Sequence, residues 1–211
     1  MGPLEVKTNE ASISLPKPSS GGEVSVEKAI KGRRTVRNFR QESLSLNHLS
    51  QLAWSGQGIT DLSEKRRAAA SAGALYPLDL YILTGENGVE KMEGGVYRYL
   101  PKEHSLLPIA RGDRRKEIAV ASLSQMWMAR APVLFIITAE YRRITGKYGE
   151  RGIRYALVEV GHVGQNLFLQ AEALGLGAGI VGAFNDSEVS NKASLPSKHE
   201  PLLIMPVGYK K

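Results

Sequence analysis

Apolar residues recur along the chain with the period of helices in some segments and of strands in others. The longest helical pattern covers 154–177, where apolar side chains return at three- and four-residue steps before two glycines end it. Shorter helical patterns cover 25–32, 43–58 and 113–131. We expect the long segment to be the central core helix. Its apolar residues are Leu157, Val160, Val163, Leu167, Ala171 and Leu174.

Strand patterns occupy much of the remaining chain. Alternating or continuous short apolar runs cover 78–85, 132–141, 177–184 and 201–209, and 95–109 has the tyrosine spacing and turn residues of a short hairpin. Helices and strands do not alternate regularly. This irregular order favours a layered α+β domain over a doubly wound parallel sheet.

The first 24 residues differ from the rest because they are rich in Pro, Ser and Gly and lack apolar periodicity. We expect 1–24 to form an extended arm, of the kind that often lies on a partner subunit, and 25–211 to form one domain. No segment approaches the roughly 18 apolar residues of a membrane span, and the arm has no signal-like apolar run. We therefore expect a soluble, cytoplasmic protein without membrane contact.

Composition narrows the chemistry. The chain has no cysteine, which excludes disulfides, thiolate metal ligands and a cysteine nucleophile. No cluster of His, Asp and Glu shows metal-ligand spacing, so we predict no metal. The net charge of +7 admits nucleic acid, acidic membrane or a phosphorylated cofactor as partners. Five cations fall within residues 31–40, and spacing alone favours a solvated basic turn there.

Four segments in order resemble one family. They are RRTVRNF (33–39), SAGALYPLDLYIL (71–83), GHVGQNLFLQAEALGLG (161–177) and PVGY (206–209). Together they are similar to the nitroreductase family of FMN-dependent oxidoreductases. SAGALYPL, KYGERGIRYALVEVGHVGQN and GAFND further resemble its SagB-type branch, the thiazoline and oxazoline dehydrogenases.

The resemblance implies a three-layer α+β fold whose central mixed sheet is flanked by helices. It also implies a homodimer with FMN at the subunit interface and NADH or NADPH as the hydride donor. A dinucleotide fingerprint is not indicated. GLGAGIVG contains GxGxxG, but it follows a helix and precedes a strand, which is the reverse of the required context.

The family's phosphate-binding pattern matches Arg33, Thr35 and Arg37, with Arg34 contributing through its backbone. Guanidinium groups bind phosphate oxygens in pairs, and a hydroxyl fills a remaining acceptor direction. The family also supplies a C-terminal cation, for which Lys210 and Lys211 are the candidates. A frayed tail is the alternative at that position.

Two further segments carry cofactor roles by resemblance. The small residues of the SAGAL loop would let the backbone approach the isoalloxazine ring, and the alternative is a tight loop that leads into a strand. Backbone amides of the second segment would face flavin N5 and O4, although many nitroreductases have Glu-Gly where this chain has Gly182 and Ala183. The residues are Ser71, Ala72, Gly73, Ala74 and Leu75, then Ile180, Val181, Gly182 and Ala183.

Lys147 and Tyr148 match the lysine-tyrosine pair of the azoline-dehydrogenase branch, where they would remove the substrate proton. The alternative is a solvated basic loop. On the long helix, we expect His162 to be a hydrogen-bonded core residue. Gln165 and Asn166 would either contact the flavin edge or hold a neighbouring loop.

The leading functional prediction is therefore hydride transfer between FMN and a small organic molecule. The alternative is oxidation of an azoline to an azole in a modified peptide. A nucleic-acid-binding module is a remote third hypothesis, because no recognised nucleic-acid-binding motif occurs and the aromatic residues are not interleaved with the basic runs.

Overall fold

The structure is a computed structural model that describes residues 11–61, 63 and 66–211. Six α-helices and nine strands occur in this part of the chain. The helices are α1 (Val26–Gly32), α2 (Leu46–Gln57), α3 (Arg115–Ala121), α4 (Arg142–Tyr148), α5 (Arg151–Ala173) and α6 (Asp186–Lys192). The strands are β1 (Ile13–Ser14), β2 (Ile59–Asp61), β3 (Arg66–Arg67), β4 (Leu78–Thr84), β5 (Gly95–Leu100), β6 (Ser105–Arg111), β7 (Val133–Ala139), β8 (Leu176–Ala178) and β9 (Glu200–Tyr209).

A seven-stranded sheet in the order β1-β6-β5-β4-β7-β9-β8 forms the centre of the domain. Every strand pair in it is antiparallel, so the predicted mixed sheet is wrong in this respect. Each connection between neighbouring strands, whether a tight hairpin or a longer helical excursion, returns the chain in the opposite direction. In the described residues, parallel pairing is confined to isolated bridges such as Thr35 with Ala178.

Helices cover both faces of this sheet, which confirms the three-layer α+β fold. Side chains alternate along β4, so Leu80 and Ile82 join the core under α2 and α5. Tyr81 and Leu83 point to the opposite face and join the core under α3 and α6. A strand with both faces buried carries a nearly continuous apolar run, and this explains the sequence of β4 and β7.

The long helix α5 is a core helix along one face only. Val160, Val163, Leu167 and Ala171 are buried as predicted, whereas Leu157 is 51% exposed. Ala156 takes the buried position of that turn, which places Leu157 on the outer face beside Val158. The helix ends where Gly175 adopts a φ of 73°, a conformation that glycine reaches without strain.

The sequence pattern was less reliable for short helices. The helix predicted over 113–131 ends at Ala121, because Leu123 and Ser124 adopt positive φ and the Asn185 N–H takes the Ala121 carbonyl. A 3₁₀ turn, Met126–Arg130, follows. Two helices, α4 and α6, were not predicted, since each buries a single apolar side chain and shows no period.

The described part of the N-terminal arm lies against its own chain. Ile13 and Ser14 extend the sheet edge by pairing with β6, and Leu15 is buried. Further along, the Ser19 N–H donates to Gln51 on α2. Residues 1–10 lie outside the described part, and contact of the arm with a partner subunit stays a prediction. Within the described residues, no helix combines the length and hydrophobicity that crossing a membrane requires.

Candidate active site

The basic segment leaves α1 at Arg33 and runs beside the end of the sheet. Thr35 bridges to Ala178 of β8, and the Val36 N–H donates to the Ala178 carbonyl at 2.8 Å. The Arg40 N–H donates to the Tyr209 carbonyl at the end of β9. Backbone hydrogen bonds therefore hold the segment in an extended conformation against β8 and β9, and it is not a free loop.

The predicted phosphate-binding arginines of this segment pack on aromatic rings and have no acidic partner among the described residues. The Arg33 guanidinium lies 5.0 Å from the centre of the Phe168 ring, and that of Arg37 lies 5.8 Å from the Trp127 ring. Among the described residues, no carboxylate forms an ion pair with either. A hydroxyl and two guanidinium groups thus lie within one short segment with uncompensated positive charge.

Two neighbouring cations behave differently. The Arg34 guanidinium folds back onto the carbonyls of Lys31 and Arg33, at 2.8 and 2.9 Å. The Arg40 guanidinium lies 3.1 Å from the Glu42 carboxylate. Their charges are engaged within the segment, so Arg33 and Arg37 are the better candidates for binding an anion.

Lys210 is ordered, and the frayed-tail alternative is wrong. It bridges to Phe39, and its Nζ lies 2.6 Å from the Glu172 carboxylate on α5. This ion pair keeps the ammonium group close to the basic segment but already compensates its charge. We refer to Arg33, Arg34, Thr35, Arg37 and Lys210 as the arginine cluster.

The glycine-rich segment 177–183 passes directly beside the arginine cluster. A Cβ atom on Gly177 would lie 2.7 Å from a Val36 methyl group, and one on Gly179 would lie 2.7 Å from the Trp127 ring. These glycines permit the close approach of the two segments. Only glycine fits at either position without displacing its neighbours.

The end of the same segment is open. Val181 is buried and bridges to Ile204, whereas Ile180, Gly182 and Ala183 are exposed. In the described residues, the N–H groups of Gly182 and Ala183 have no acceptor. A Cβ atom on Gly182 would meet nothing within 4 Å. Two backbone donors on an exposed stretch are therefore unpaired among the described residues.

The SAGAL loop, Ser71–Leu75, forms a single 3₁₀ turn ahead of β4. Gly73 and Ala74 have φ values of 61° and 52°, and the Tyr76 N–H donates to the Ser71 hydroxyl oxygen at 2.9 Å. A Cβ atom on Gly73 would lie 2.7 Å from the Tyr148 hydroxyl oxygen and 3.1 Å from Lys147 Nζ. The structure therefore places the loop and the lysine-tyrosine pair together in one chain.

Lys147 and Tyr148 lie in the last turn of α4, so the predicted alternative of a basic loop is wrong in its conformation. Lys147 is exposed, and its Nζ lies 5.3 Å from the centre of the Tyr148 ring. Tyr148 also packs edge-on against Tyr155 of α5, with ring centres 5.2 Å apart. We call the SAGAL loop together with Lys147 and Tyr148 the loop–lysine site.

Side chains of α5 donate hydrogen bonds to backbone carbonyls next to the SAGAL loop. The Nδ1 of His162 is 2.9 Å from the Ala70 carbonyl oxygen, so the ring N–H donates to it. Asn166 donates to the carbonyls of Ser55 and Ala68. Asn166 therefore holds the neighbouring loop, which is one of the two predicted alternatives. His162 also does so, but it is exposed, and its prediction as a core residue is wrong.

Glu159 is a functional candidate that the sequence reasoning missed. It is 1% exposed, and neither carboxylate oxygen has a hydrogen-bond partner in the described residues. Burial raises the pKa of Glu159, while nearby Ser71 and the positive charge of Arg67 act in the opposite direction. The available signal was an acid spaced four residues before Val163, on the core face of a strongly periodic helix.

The arginine cluster and the loop–lysine site lie far apart within one chain. Arg33 packs on Phe168, and Tyr148 packs on Tyr155. Both ring partners belong to α5, whose rise of 1.5 Å per residue separates them by about 20 Å along the axis.

Another polar group joins Asp79 on β4 with two residues that lie just after β7 and just before β9. Asp79, Glu140 and His199 each offer a ligand atom, and these atoms lie within 4.8 Å of one another. Arg143 bridges the two carboxylates at 2.7 Å each. Burial lowers the pKa of His199. Because arginine occupies the carboxylates, we interpret this group as an ion-pair network. Spacing along the sequence gave no sign of it.

Comparisons with known proteins agree with this geometry. The profile of the Nitroreductase family matches residues 30–209. A Methanocaldococcus jannaschii protein assigned by name to the nitroreductases is 43% identical over 188 residues, which cover 89% of this chain and 92% of that protein. The chain therefore belongs to the Nitroreductase family and is an oxidoreductase.

More distant relatives include a peptide-processing protein. The Escherichia coli microcin B17-processing protein McbC is 26% identical over 174 residues, covering 80% of this chain and 63% of McbC. A crystal structure from Ralstonia eutropha, also named as a nitroreductase, superposes with a TM-score of 0.80 at 25% identity, covering 100% of this chain and 96% of that chain. The E. coli McbBCD microcin synthetase complex, bound to truncated pro-MccB17, gives 0.72 at 26% identity, covering 97% and 79%.

Proposed function

We propose that the protein is an FMN-dependent oxidoreductase that transfers a hydride between the flavin and a small organic substrate, with NADH or NADPH as the donor. The observation that carries this proposal is the pair of guanidinium groups without a carboxylate partner in the described residues, on a segment that runs beside a glycine-rich stretch with two unpaired backbone donors, in a Nitroreductase-family chain. A phosphate and a flavin edge are the complementary groups.

The residues fit FMN on three points of chemistry. Arg33 and Arg37 offer charge-assisted donors, and the Thr35 hydroxyl can fill a remaining phosphate direction. The N–H groups of Gly182 and Ala183 lack an acceptor in the described chain, as donors to a ring edge would. The open space over Gly182 would admit a flat ring.

Bound FMN would supply a redox-active ring that accepts or gives a hydride. The chain's own residues would bind the phosphate and orient the ring. Arg33 and Arg37 hold the phosphate, and Gly182 and Ala183 orient the ring through their N–H groups. The SAGAL loop supplies a surface of small side chains against which a ring or substrate can pack.

We also propose that the active form is a homodimer. The arginine cluster and the loop–lysine site pack on α5 residues that lie about 20 Å apart along the helix axis, and the loop–lysine site would therefore serve the partner's flavin. Exposed apolar side chains support this arrangement, including Val26 at 64% and Leu157 at 51%. A cytoplasmic location stays a prediction.

Flavin content and assembly test this proposal. The purified protein is expected to bind FMN, to release it on denaturation, and to oxidise NADH or NADPH when a nitroaromatic or quinone acceptor is present. Sedimentation should show a dimer. A protein that takes up no FMN would contradict the function, and a monomer with full FMN occupancy would contradict the shared site.

Oxidation of an azoline to an azole in a modified peptide is the second candidate. It is favoured by the contact of Lys147 Nζ and the Tyr148 hydroxyl over Gly73, where a base and a hydroxyl meet beside the loop. Similarity to McbC and to the McbBCD complex also supports it. Lys147 would take the acidic carbon proton as the hydride leaves for the flavin, and Tyr148 would orient the substrate.

A further inference from the structure

A cleft of about 310 Å³ opens beside the loop–lysine site, at the entry to β4. Leu75 and Tyr76, at the end of the SAGAL loop, line one wall. Arg143 lines another wall, four residues before Lys147 on α4, and such residues are neighbours on a helix. A molecule that reacts at the loop–lysine site can therefore extend into this cleft.

The cleft carries an excess of positive charge. Asp79 is already engaged, with Arg98 and Arg143 each 2.7 Å from its carboxylate. Glu103 is exposed at the rim. In the described part of the chain, Arg67 and Lys102 form no ion pair with a carboxylate. The charged residues that line the cleft are Arg67, Arg98, Lys102 and Arg143, against Asp79 and Glu103.

Arg67 is held in place by its neighbours. Its Nη1 donates to Gln57 Oε1 at 2.8 Å, and its guanidinium lies 4.6 Å from the centre of the Tyr76 ring. The Tyr76 hydroxyl in turn accepts from the Arg67 backbone N–H at 3.0 Å. The remaining guanidinium N–H groups have no acceptor among the described residues. A guanidinium fixed in this way loses little conformational entropy when it binds an anion.

Two buried groups below Arg67 leave its charge incompletely satisfied. Gln57 is 1% exposed, and its amide nitrogen has no hydrogen-bond partner in the described chain. Glu159 also faces Arg67, but burial raises the pKa of that carboxyl and weakens its compensation. Among the described residues, the core side therefore leaves one unpaired donor, the Gln57 amide nitrogen, at the base of the cleft.

We propose that this cleft is a subsite for an anionic group, a carboxylate or a phosphate, carried either by the substrate or by the nicotinamide donor. Arg67 would bind that group through its fork, and Lys102 would add charge at the rim. The inference rests on the proposed function and adds a preference for acidic ligands. It concerns residues outside the arginine cluster.

Paired substrates test the proposal in the FMN-loaded protein. The ratio of kcat/KM for 4-nitrobenzoate to that for nitrobenzene should fall roughly ten- to hundredfold in Arg67→Gln, since a charged hydrogen bond is lost. Arg66→Gln is the matched control, because side chains alternate along β3, and it should keep the parental ratio. If the anion belongs to the donor, the KM for NADH or NADPH should rise instead.

Direct binding provides a readout that does not depend on turnover. Inorganic phosphate should bind the FMN-loaded protein in calorimetry and should bind Arg67→Gln at least tenfold more weakly. Lys102→Gln, an exposed change that cannot disturb the core, should weaken it severalfold. Unchanged phosphate binding, substrate ratio and donor KM in Arg67→Gln would overturn the subsite. Absence of turnover with both nitro compounds would contradict the proposed function instead.

Discussion

The arginine cluster and the loop–lysine site are built in opposite ways. The arginine cluster lies on an extended segment at the sheet end, where Arg33 and Arg37 rest on aromatic rings and have no acidic partner in the described chain. The loop–lysine site is a strained turn held from below by α5. The arginine cluster is suited to binding an anion that stays bound, such as a cofactor phosphate. The loop–lysine site is suited to holding reacting groups in fixed positions.

The largest expected effect is that of Lys147→Ala, which should affect azoline oxidation but not reduction of the flavin. If azoline oxidation is an activity of this protein, Lys147→Ala should lower it by about 10²–10⁴, because a general base is removed. Reduction of the flavin by NADH or NADPH should stay near the parental rate. Single-turnover measurements of both reactions provide the check. Equal losses in the two reactions, or none, would make Lys147 a structural residue.

Measurements of FMN affinity test the role of the arginine cluster. Arg33→Ala and Arg37→Ala should each weaken FMN binding by roughly one to two decades, since a charged hydrogen bond to phosphate is worth about 1.5–3 kcal/mol. Arg40→Ala is the control, because the Arg40 guanidinium already pairs with Glu42. Fluorescence titration measures all three constants. Parental affinity in both test variants would refute the phosphate assignment.

Two glycine substitutions sharpen the comparison. Gly73→Ala puts a methyl group 2.7 Å from the Tyr148 hydroxyl oxygen at a φ of 61°, so it should cost about 1 kcal/mol and lower activity. Gly182→Ala places its methyl group at least 4 Å from every described atom beyond its chain neighbours and should leave the free energy of unfolding unchanged. Denaturant unfolding and FMN titration distinguish them. Loss of FMN in Gly182→Ala alone would indicate that the ring approaches there.

The smallest expected effect concerns Glu159 and pH. Its folded-state pKa is raised by burial, so the folded protein keeps a proton that the unfolded chain releases. Stability therefore falls as pH rises from the ordinary glutamate pKa through the raised one. Glu159→Gln removes this loss and should raise Tm by about 2–4 °C at pH 7 for roughly 1 kcal/mol, but little at pH 4.

Calorimetry at both values of pH measures this difference. Glu103→Gln serves as the control, since Glu103 is exposed on the turn between β5 and β6. An equal shift in Tm at pH 4 and pH 7 would mean that folding does not change the pKa of the Glu159 carboxyl, which would contradict the prediction. A loss of stability at pH 7 would show that the ionised carboxylate is stabilised by Arg67.

Elements with many buried apolar residues could be predicted from the sequence, and sparsely buried ones could not. The period of α5 and the runs of β4, β7 and β9 reflect many buried apolar side chains in each element. In contrast, α4 and α6 depend on Ile144 and Val189 alone, so no period exists to detect. The end of α3 is set by Asn185, which is distant in sequence.

The candidate site also has a part that the sequence could predict and a part that it could not. Its members within the SAGAL loop and the basic segment could be named from motifs, because each motif is contiguous. The contact of Gly73 with Tyr148, the hydrogen bond from His162 to Ala70 and the cleft around Arg67 arise only when separate elements meet. Tertiary packing brings these residues together, so their spacing along the sequence does not predict the contacts.

The bridges of Thr35 to Ala178 and of Phe39 to Lys210 have a kinetic consequence. They join residues near opposite ends of the described chain, so forming the arginine cluster requires the closure of very long loops. Contacts of such high order form slowly and late. We expect the hairpin of β5 and β6 to organise early and the cofactor to be captured near the end of folding. FMN would then stabilise the finished fold without acting as its nucleus.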